Sequence, residues 1–148
     1  MVVNLSNVQK KARDARRISD IKAIDDAIKL YYNDNNVYPS QPAGCNPALD
    51  PAIFSTPECT QYTIGRASCL TNIYILGLSN YLAALPKDPG PADPSVSADT
   101  RGYVYMFNGT DYKIMASRPE SCSSNQSLAD PVRNCWAWSY YSTGAAAW

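Results

Sequence analysis

The stretch KKARDARRISDIKAIDDAIKLYYNDNNVYPS, from Lys10 to Ser40, decides the fold because it predicts one long helix that stops at a turn. Apolar residues here and just upstream recur in steps of three or four, which is the spacing of one helix side. The run 33–36 (NDNN) tolerates a left-handed stop, and Pro39 prevents continuation. We therefore predict a helix over residues 4–34 with one buried stripe: Leu5, Val8, Ala12, Ala15, Ile18, Ile21, Ile24, Ile28 and Tyr31.

The start of this helix carries the charge that a helix N-terminus disfavours. The N-terminal end of a helix is partially positive, so acidic side chains stabilise its first turns. Here five cations face a single carboxylate: Lys10, Lys11, Arg13, Arg16 and Arg17 against Asp14. We expect the native helix to begin further upstream, so that this cluster lies inside a longer helix. The alternative is a frayed helix start with no role.

The helix is also too long for the domain that it serves. At 1.5 Å per residue the helix would be roughly 45 Å long, whereas a compact domain with the length of this chain has a radius of gyration of about 15 Å. Its first half should therefore protrude or pack on another helix, and the small side chains of Ala12 and Ala15 would suit such a contact. Four outward charge pairs at a spacing of four residues, the first of them Lys10 with Asp14, predict a solvated face.

The composition excludes several classes of function. The chain has 148 residues, which is one domain, and its 13 basic residues balance its 13 acidic ones, so no net charge attracts nucleic acid or acidic lipid. Because the chain contains no His, it has neither a Ser-His or Cys-His catalytic pair nor an imidazole zinc ligand. We expect no enzyme activity and no cofactor. Nothing resembles a signal peptide.

The remainder predicts a small sheet. Residues 35–100 form a connecting region with a short helix near 73–85. A hairpin signal follows, with alternating strands from Tyr103 to Ala116 around Asn108-Gly109, and a third strand lies between Cys135 and Ser142. We predict one α+β domain over 1–148, with the long N-terminal helix packed against an antiparallel sheet of three to four strands within 101–142. The terminal STGAAAW is expected to be disordered.

The cysteines predict disulfides. They contain no CxxC pair and stand at Cys45, Cys59, Cys69, Cys122 and Cys135, which fits the oxidised links of an exported protein better than a zinc site. Cys122 and Cys135 flank a polar loop, so we predict that they pair, with a contribution of about 3 kcal/mol. Of the other three cysteines, one stays unpaired whichever two form a disulfide, and the sequence does not indicate which two these are.

Two stretches resemble a known family. VVNLSNVQKKARDARRISDIKAIDDAIKLYYNDNNVYPS (residues 2–40) resembles the part of a type IV pilin that follows its membrane-spanning segment. YLAALPKDP (Tyr81–Pro89), followed by GYVYMFNGTDYKIMAS (Gly102–Ser117), is similar in order to pilins and to the pseudopilins of type II secretion. The resemblance implies a pilin domain without its upstream apolar segment, whose native N-terminus would be methylated.

The resemblance implies a structural subunit of an extracellular type IV pilus that supports adhesion or motility. Its partners would be copies of itself and the pilus assembly machinery, and the upstream segment would anchor it in the membrane before assembly. Two sets of residues are expected at subunit contacts. The helix seam would be Leu5, Val8, Ile18, Ile21, Ile24 and Ile28, and the electrostatic contacts Lys10, Lys11, Arg13, Asp14, Arg16 and Arg17.

Alternatives remain open. One is a type II secretion pseudopilin, although the sequence does not match the calcium loop of that family's major subunit. We interpret four acidic residues that could bind calcium as solvated turn carboxylates: Asp93, Asp99, Asp111 and Asp130. Another is a minor pilin that binds DNA through the basic cluster. A third is a surface adhesin or soluble binding module that uses the C-terminal aromatic residues: Trp136, Trp138, Tyr140, Tyr141 and Trp148. We expect those on one face of the strand to lie in the core and those on the other face to form a contact surface.

Overall fold

A long helix packs against one antiparallel sheet in the computed structural model, which describes residues 5–42, 58–62, 73–90, 102–121 and 126–148. The elements are α1 (Leu5–Asn35), β1 (Glu58–Tyr62), β2 (Gly102–Phe107), β3 (Tyr112–Ser117) and β4 (Ala137–Tyr141). The four strands lie side by side in the order β1-β2-β3-β4. The predicted α+β fold class is confirmed. Within the described ranges, no helix combines the length and the apolar character needed to cross a bilayer.

The central hairpin follows its sequence signal. β2 and β3 are antiparallel, with Gly102 opposite Ser117 and Phe107 opposite Tyr112. The loop between the strands is held by Asn108, whose side-chain Oδ1 accepts hydrogen bonds from the backbone N–H groups of Thr110 (2.9 Å) and Asp111 (2.8 Å). β4 adds to the far edge of β3. Local turn chemistry therefore favours the β2–β3 hairpin.

Two local expectations are wrong. In place of the short helix near 73–85, the chain forms only a 3-10 turn at Leu78–Asn80. Gly77, just before it, has a φ of 81°, and a Cβ there would lie 2.7 Å from the ring of Tyr31, so the chain bends where a regular helix would continue. The C-terminal segment was expected to be disordered, yet it contains a 3-10 turn at Thr143–Ala145 with Ala145 buried.

The core lies between α1 and the sheet. Three fully buried residues of the helix, Ile21, Ile24 and Ile28, pack with aromatic and aliphatic side chains of the strands. The principal members on the sheet side are Tyr103, Tyr105, Tyr112, Ile114 and Trp138. These isoleucines were expected on the seam between subunits. The structure places them inside the domain instead, because the helix uses this face to cover its own sheet.

The predicted single stripe is wrong for a geometric reason. An α-helix has about 3.6 residues per turn, so a pattern dominated by steps of three winds around the helix instead of following one side. Residues nine positions apart are about two and a half turns apart and face opposite ways. Ala12 is nine residues before Ile21, and Ala15 is nine before Ile24; the alanines are exposed whereas both isoleucines are fully buried.

Candidate assembly site on helix α1

The start of α1 projects beyond the rest of the domain. Residues 5–12 are all exposed, a length of about 12 Å at 1.5 Å per residue. Leu5 is 66% exposed and Val8 is 51% exposed. With Ala12 and Ala15 they repeat in steps of three, four and three, which is the a/d spacing by which helices pack together. We call these four residues the assembly face.

The buried centre of the basic cluster is Arg17, whose side chain is completely inaccessible. Its guanidinium donates two parallel hydrogen bonds to the carboxylate of Asp88, from Nε to Oδ2 (2.8 Å) and from Nη2 to Oδ1 (2.7 Å). Its third nitrogen, Nη1, donates to Asp14 Oδ1 (2.8 Å) and Glu120 Oε1 (3.0 Å). One cation of the helix therefore holds two distant loops.

Arg13 and Asp14 complete this network. Arg13 donates two hydrogen bonds to the carboxylate of Glu120, from Nε to Oε1 (2.7 Å) and from Nη2 to Oε2 (2.6 Å). Asp14 accepts the backbone N–H groups of Glu120 (2.9 Å) and Ser121 (2.6 Å). The predicted outward pairing of Asp14 with Lys10 is therefore wrong, because Asp14 points into the domain and caps the 118–121 loop.

The network stays charged. The hydrogen bond from Arg13 lowers the pKa of Glu120 to about 2, although partial burial opposes the shift. Burial alone would lower the pKa of Arg17, but its hydrogen bonds to Asp88, Glu120 and Asp14 outweigh that effect and raise it. Such bidentate, charge-assisted contacts are stronger than neutral hydrogen bonds and fix direction as well as distance.

The structure divides the six charged residues expected at subunit contacts into two groups. Arg13, Asp14 and Arg17 bind within the domain. Lys10 and Lys11 are exposed, and the side chain of Arg16 is 63% exposed with Nε 3.7 Å from Asp20. Because Asp14 points inward and the first turn carries no acidic residue, the solvent-facing start of the helix is cationic.

Comparison with known proteins finds relatives at the level of sequence. No family model matches the chain, and no solved structure is significantly similar to it. The chain is 32% identical over 89 residues to the type II secretion system core protein G of Aeromonas hydrophila, covering 60% of this chain and 52% of that protein. It is 29% identical over 108 residues to the protein of the same name from Vibrio cholerae serotype O1, covering 72% and 63%.

The resemblance to the pilin and pseudopilin family is confirmed. The matched part of this pilin-like chain spans between about half and two thirds of the length of these relatives.

A second buried charge holds the C-terminal part of the pilin-like domain. Lys113, on β3, is fully buried, and its Nζ donates to Asp130 Oδ2 (2.9 Å) and to the backbone carbonyls of Ala146 (3.3 Å) and Trp148 (3.0 Å). Burial lowers the pKa of Lys113. Burial alone would raise the pKa of Asp130, but the hydrogen bond from Lys113 outweighs it and lowers the pKa of this carboxyl. The interpretation of Asp130 as a solvated carboxylate is wrong. A charged residue near the start of an otherwise largely apolar strand was the signal that sequence reasoning missed.

The other predicted site residues are only partly described. Asp111 accepts a hydrogen bond from Ser142 Oγ (2.6 Å), whereas Asp93 and Asp99 lie outside the described residues. Among the residues that the structure describes, no cluster of acidic or sulfur side chains could hold a metal ion. Cys135 is in a disulfide. The predicted pairing with Cys122, and the side chains of Cys45, Cys59 and Cys69, lie outside the described part of the chain.

Proposed function

We propose that this chain is a pseudopilin, a filament subunit of a type II secretion apparatus. The observation that carries the proposal is the exposed assembly face, which lies on the opposite side of α1 from the core. Both relatives carry the name of a core protein of that apparatus, and this favours the pseudopilin over the extracellular type IV pilus expected from the sequence. The filament would then work in the periplasm.

The assembly face is suited to contact between helices. Leu5 and Val8 would each contribute on the order of 1 to 2 kcal/mol if a second copy removed their exposed area from water. Ala12 and Ala15 have small side chains, so a neighbouring helix can approach to about 8 Å, the short end of the usual range of interaxial distances. Among the residues that the structure describes, none covers this face, since all four of its side chains are exposed.

The exposed charges also favour association of identical chains. Lys10 and Lys11 are exposed at the start of α1, and its second half exposes two carboxylates, Asp26 and Asp34, together with Lys22 and Lys29. A neighbour displaced along the helix axis brings its basic start beside these carboxylates of the first copy. Such surface pairs contribute little individually, but they set the stagger between copies and weaken with salt.

The test is deletion of the gene in the native organism, followed by two measurements: the amount of exported protein in the medium and the number of surface filaments. We expect secretion to fall while surface filaments persist. Loss of surface filaments with intact secretion would instead identify a type IV pilin. If both properties survive deletion, the proposal of a filament subunit fails.

Complementation then tests the assembly face. Ala15→Glu should behave as the deletion does, because a buried, unpaired carboxylate at a helix contact is unfavourable. Ser6→Glu is the matched control: Ser6 is also exposed, and it is nine residues before Ala15 and hence on the opposite side of the helix. It should restore function. Equal behaviour of the two variants would contradict the proposed face.

A further inference from the structure

Among the described residues, two apolar surfaces lie outside α1. The first is a groove of about 600 Å³ in the 73–87 segment, lined mainly by Ile73, Leu76, Leu78, Leu82 and Leu85. Ile73 is 51% exposed and Leu76 is 40% exposed. The second, which we call the knob, consists of Val132 and Trp136, which are 56% and 57% exposed. The groove, at about 600 Å³, is within the usual size range of ligand pockets.

The knob is held in position. The guanidinium carbon of Arg118 lies 5.0 Å from the centre of the Trp136 ring, within the range of a cation–π contact. The backbone N–H of Trp136 donates a hydrogen bond to the carbonyl of Arg133 (2.8 Å). The backbone carbonyl of Trp136 accepts a hydrogen bond from the N–H of Arg118 (2.7 Å). An exposed tryptophan whose backbone and ring are both fixed loses little entropy when a partner covers it.

The groove and the knob flank α1 on opposite sides. Tyr31 packs edge-on against Tyr81 of the groove segment, with ring centres 5.9 Å apart. Lys22 lies 6.0 Å from the centre of the Tyr140 ring on β4, the strand that follows the knob. Because Lys22 and Tyr31 are nine residues apart, they face opposite ways. The two surfaces therefore cannot meet within one chain.

We propose that the knob of one copy enters the groove of the next. Two different, complementary surfaces on opposite flanks make a head-to-tail contact, which continues from copy to copy instead of closing into a dimer. The inference rests on the proposed filament and names the contact between its globular parts. The occupant of the groove is thus a second copy of this chain, with Trp136 as its anchor.

The charges around the two surfaces support this arrangement. The knob is accompanied by one cation, Arg118, which lies against the Trp136 ring. An exposed carboxylate, Asp34, lies at the Tyr81 end of the groove, where it accepts the tyrosine hydroxyl hydrogen bond (2.7 Å). Lys87, six residues after Tyr81 in the chain, also lines the groove. The complementary orientation therefore places Arg118 towards Asp34, and the reverse orientation would bring cations together.

The test is photocrosslinking of the full-length protein in its native cells. A p-benzoylphenylalanine in place of Trp136 should yield covalent dimers and higher multimers whose crosslinked peptide maps to 73–87. The same probe at Tyr141 is the matched control. Tyr141 is 39% exposed and follows Tyr140, which packs against the core, so it points to the sheet face away from α1 and should not label that segment. The probe at Val8 reports the helix contact independently.

Each outcome decides one of the proposals. Crosslinks from Val8 without crosslinks from Trp136 to 73–87 would overturn the contact between knob and groove and leave the filament intact. Absence of self-crosslinks from both positions would overturn the filament as well. As a second measurement, Trp136→Ala should lower the yield of multimers trapped from Val8 by about tenfold, the effect of losing one interface anchor. Tyr141→Ala, the truncation of another exposed aromatic side chain, should leave that yield unchanged, and an unchanged yield with Trp136→Ala would contradict the role of Trp136.

Discussion

The guanidinium of Arg17 binds the carboxylate of Asp88 through two parallel hydrogen bonds, 2.8 and 2.7 Å long, although 71 residues separate them in the chain. This pair explains the unfavourable charge at the start of α1. Part of the basic cluster does not act at the helix end at all, because Arg17 and Arg13 provide the counter-charges for carboxylates of two loops. The position of these loops on the helix is therefore set by buried electrostatics as well as by apolar packing.

Arg17→Met should lower the free energy of unfolding by about 3 to 5 kcal/mol, since it removes the buried cation that Asp14 and Asp88 share. Chemical denaturation followed by circular dichroism measures the change. Arg16→Met is the control: Arg16 is a neighbouring, largely exposed arginine whose removal should cost less than about 1 kcal/mol. Equal losses in the two variants would show that the network does not stabilise the fold.

Glu120→Gln should reveal a pH dependence with a definite sign. Contact with Arg13 lowers the pKa of Glu120 from 4.5 to about 2, so its stabilisation is complete above pH 4.5 and is lost as the pH falls towards 2. The wild type should exceed the variant by about 2 kcal/mol at pH 7, and the difference should shrink across that window. Denaturant titrations at pH 7, 4.5, 3 and 2 measure it. A difference that stays constant with pH would contradict the assignment.

Tyr112→Phe should be costly because the hydroxyl of Tyr112 donates to the buried carboxylate of Asp25 at 2.7 Å. Removing it leaves a buried acceptor with one partner fewer, at a cost of about 1 to 3 kcal/mol. Tyr81→Phe removes a hydroxyl with the same bond length to Asp34, but at the surface, and should cost less than about 0.5 kcal/mol. Thermal unfolding of both variants compares them; a larger loss for Tyr81→Phe would refute the argument.

Lys113→Met should destabilise the C-terminal segment by about 3 kcal/mol, since the buried carboxylate of Asp130 would keep only its longer contact with Arg133 (3.4 Å). Lys22→Met removes a surface partner of Asp26 and should change the free energy of unfolding by less than about 1 kcal/mol. Hydrogen exchange of the amides in 143–148 provides a local readout. Unchanged exchange in Lys113→Met would show that Lys113 does not hold this segment.

Part of the fold could be predicted because its signals are local. The helix extends from Leu5 to Asn35, close to the predicted 4–34, since both its periodicity and its stop lie in adjacent residues. The strands of the hairpin were recognisable from alternation and from Asn108-Gly109. The short helix near 73–85 was not predicted correctly: the apolar residues of that stretch suggested a helix, but Tyr74, Ile75 and Leu78 are buried by contacts with α1 and the sheet.

The candidate site was only partly predictable. Leu5 and Val8 were assigned to the seam and are exposed, whereas Ile21, Ile24 and Ile28 were assigned to the same seam and are buried in the domain. Spacing shows that residues are apolar at helical intervals. Whether a given side of the helix meets its own sheet or another chain depends on where the sheet lies.

The sequence by itself determined the long helix, its stop before Pro39 and the central hairpin, because each depends on interactions between residues near one another in the chain. Only the tertiary structure decided how the charges are used. Asp88 and Glu120 lie 71 and 103 residues from Arg17, and no local pattern specifies that they converge on it. Their convergence follows from the packing of α1 on the sheet, which buries Arg17 and removes water as an alternative partner. Carboxylates must then supply its hydrogen bonds.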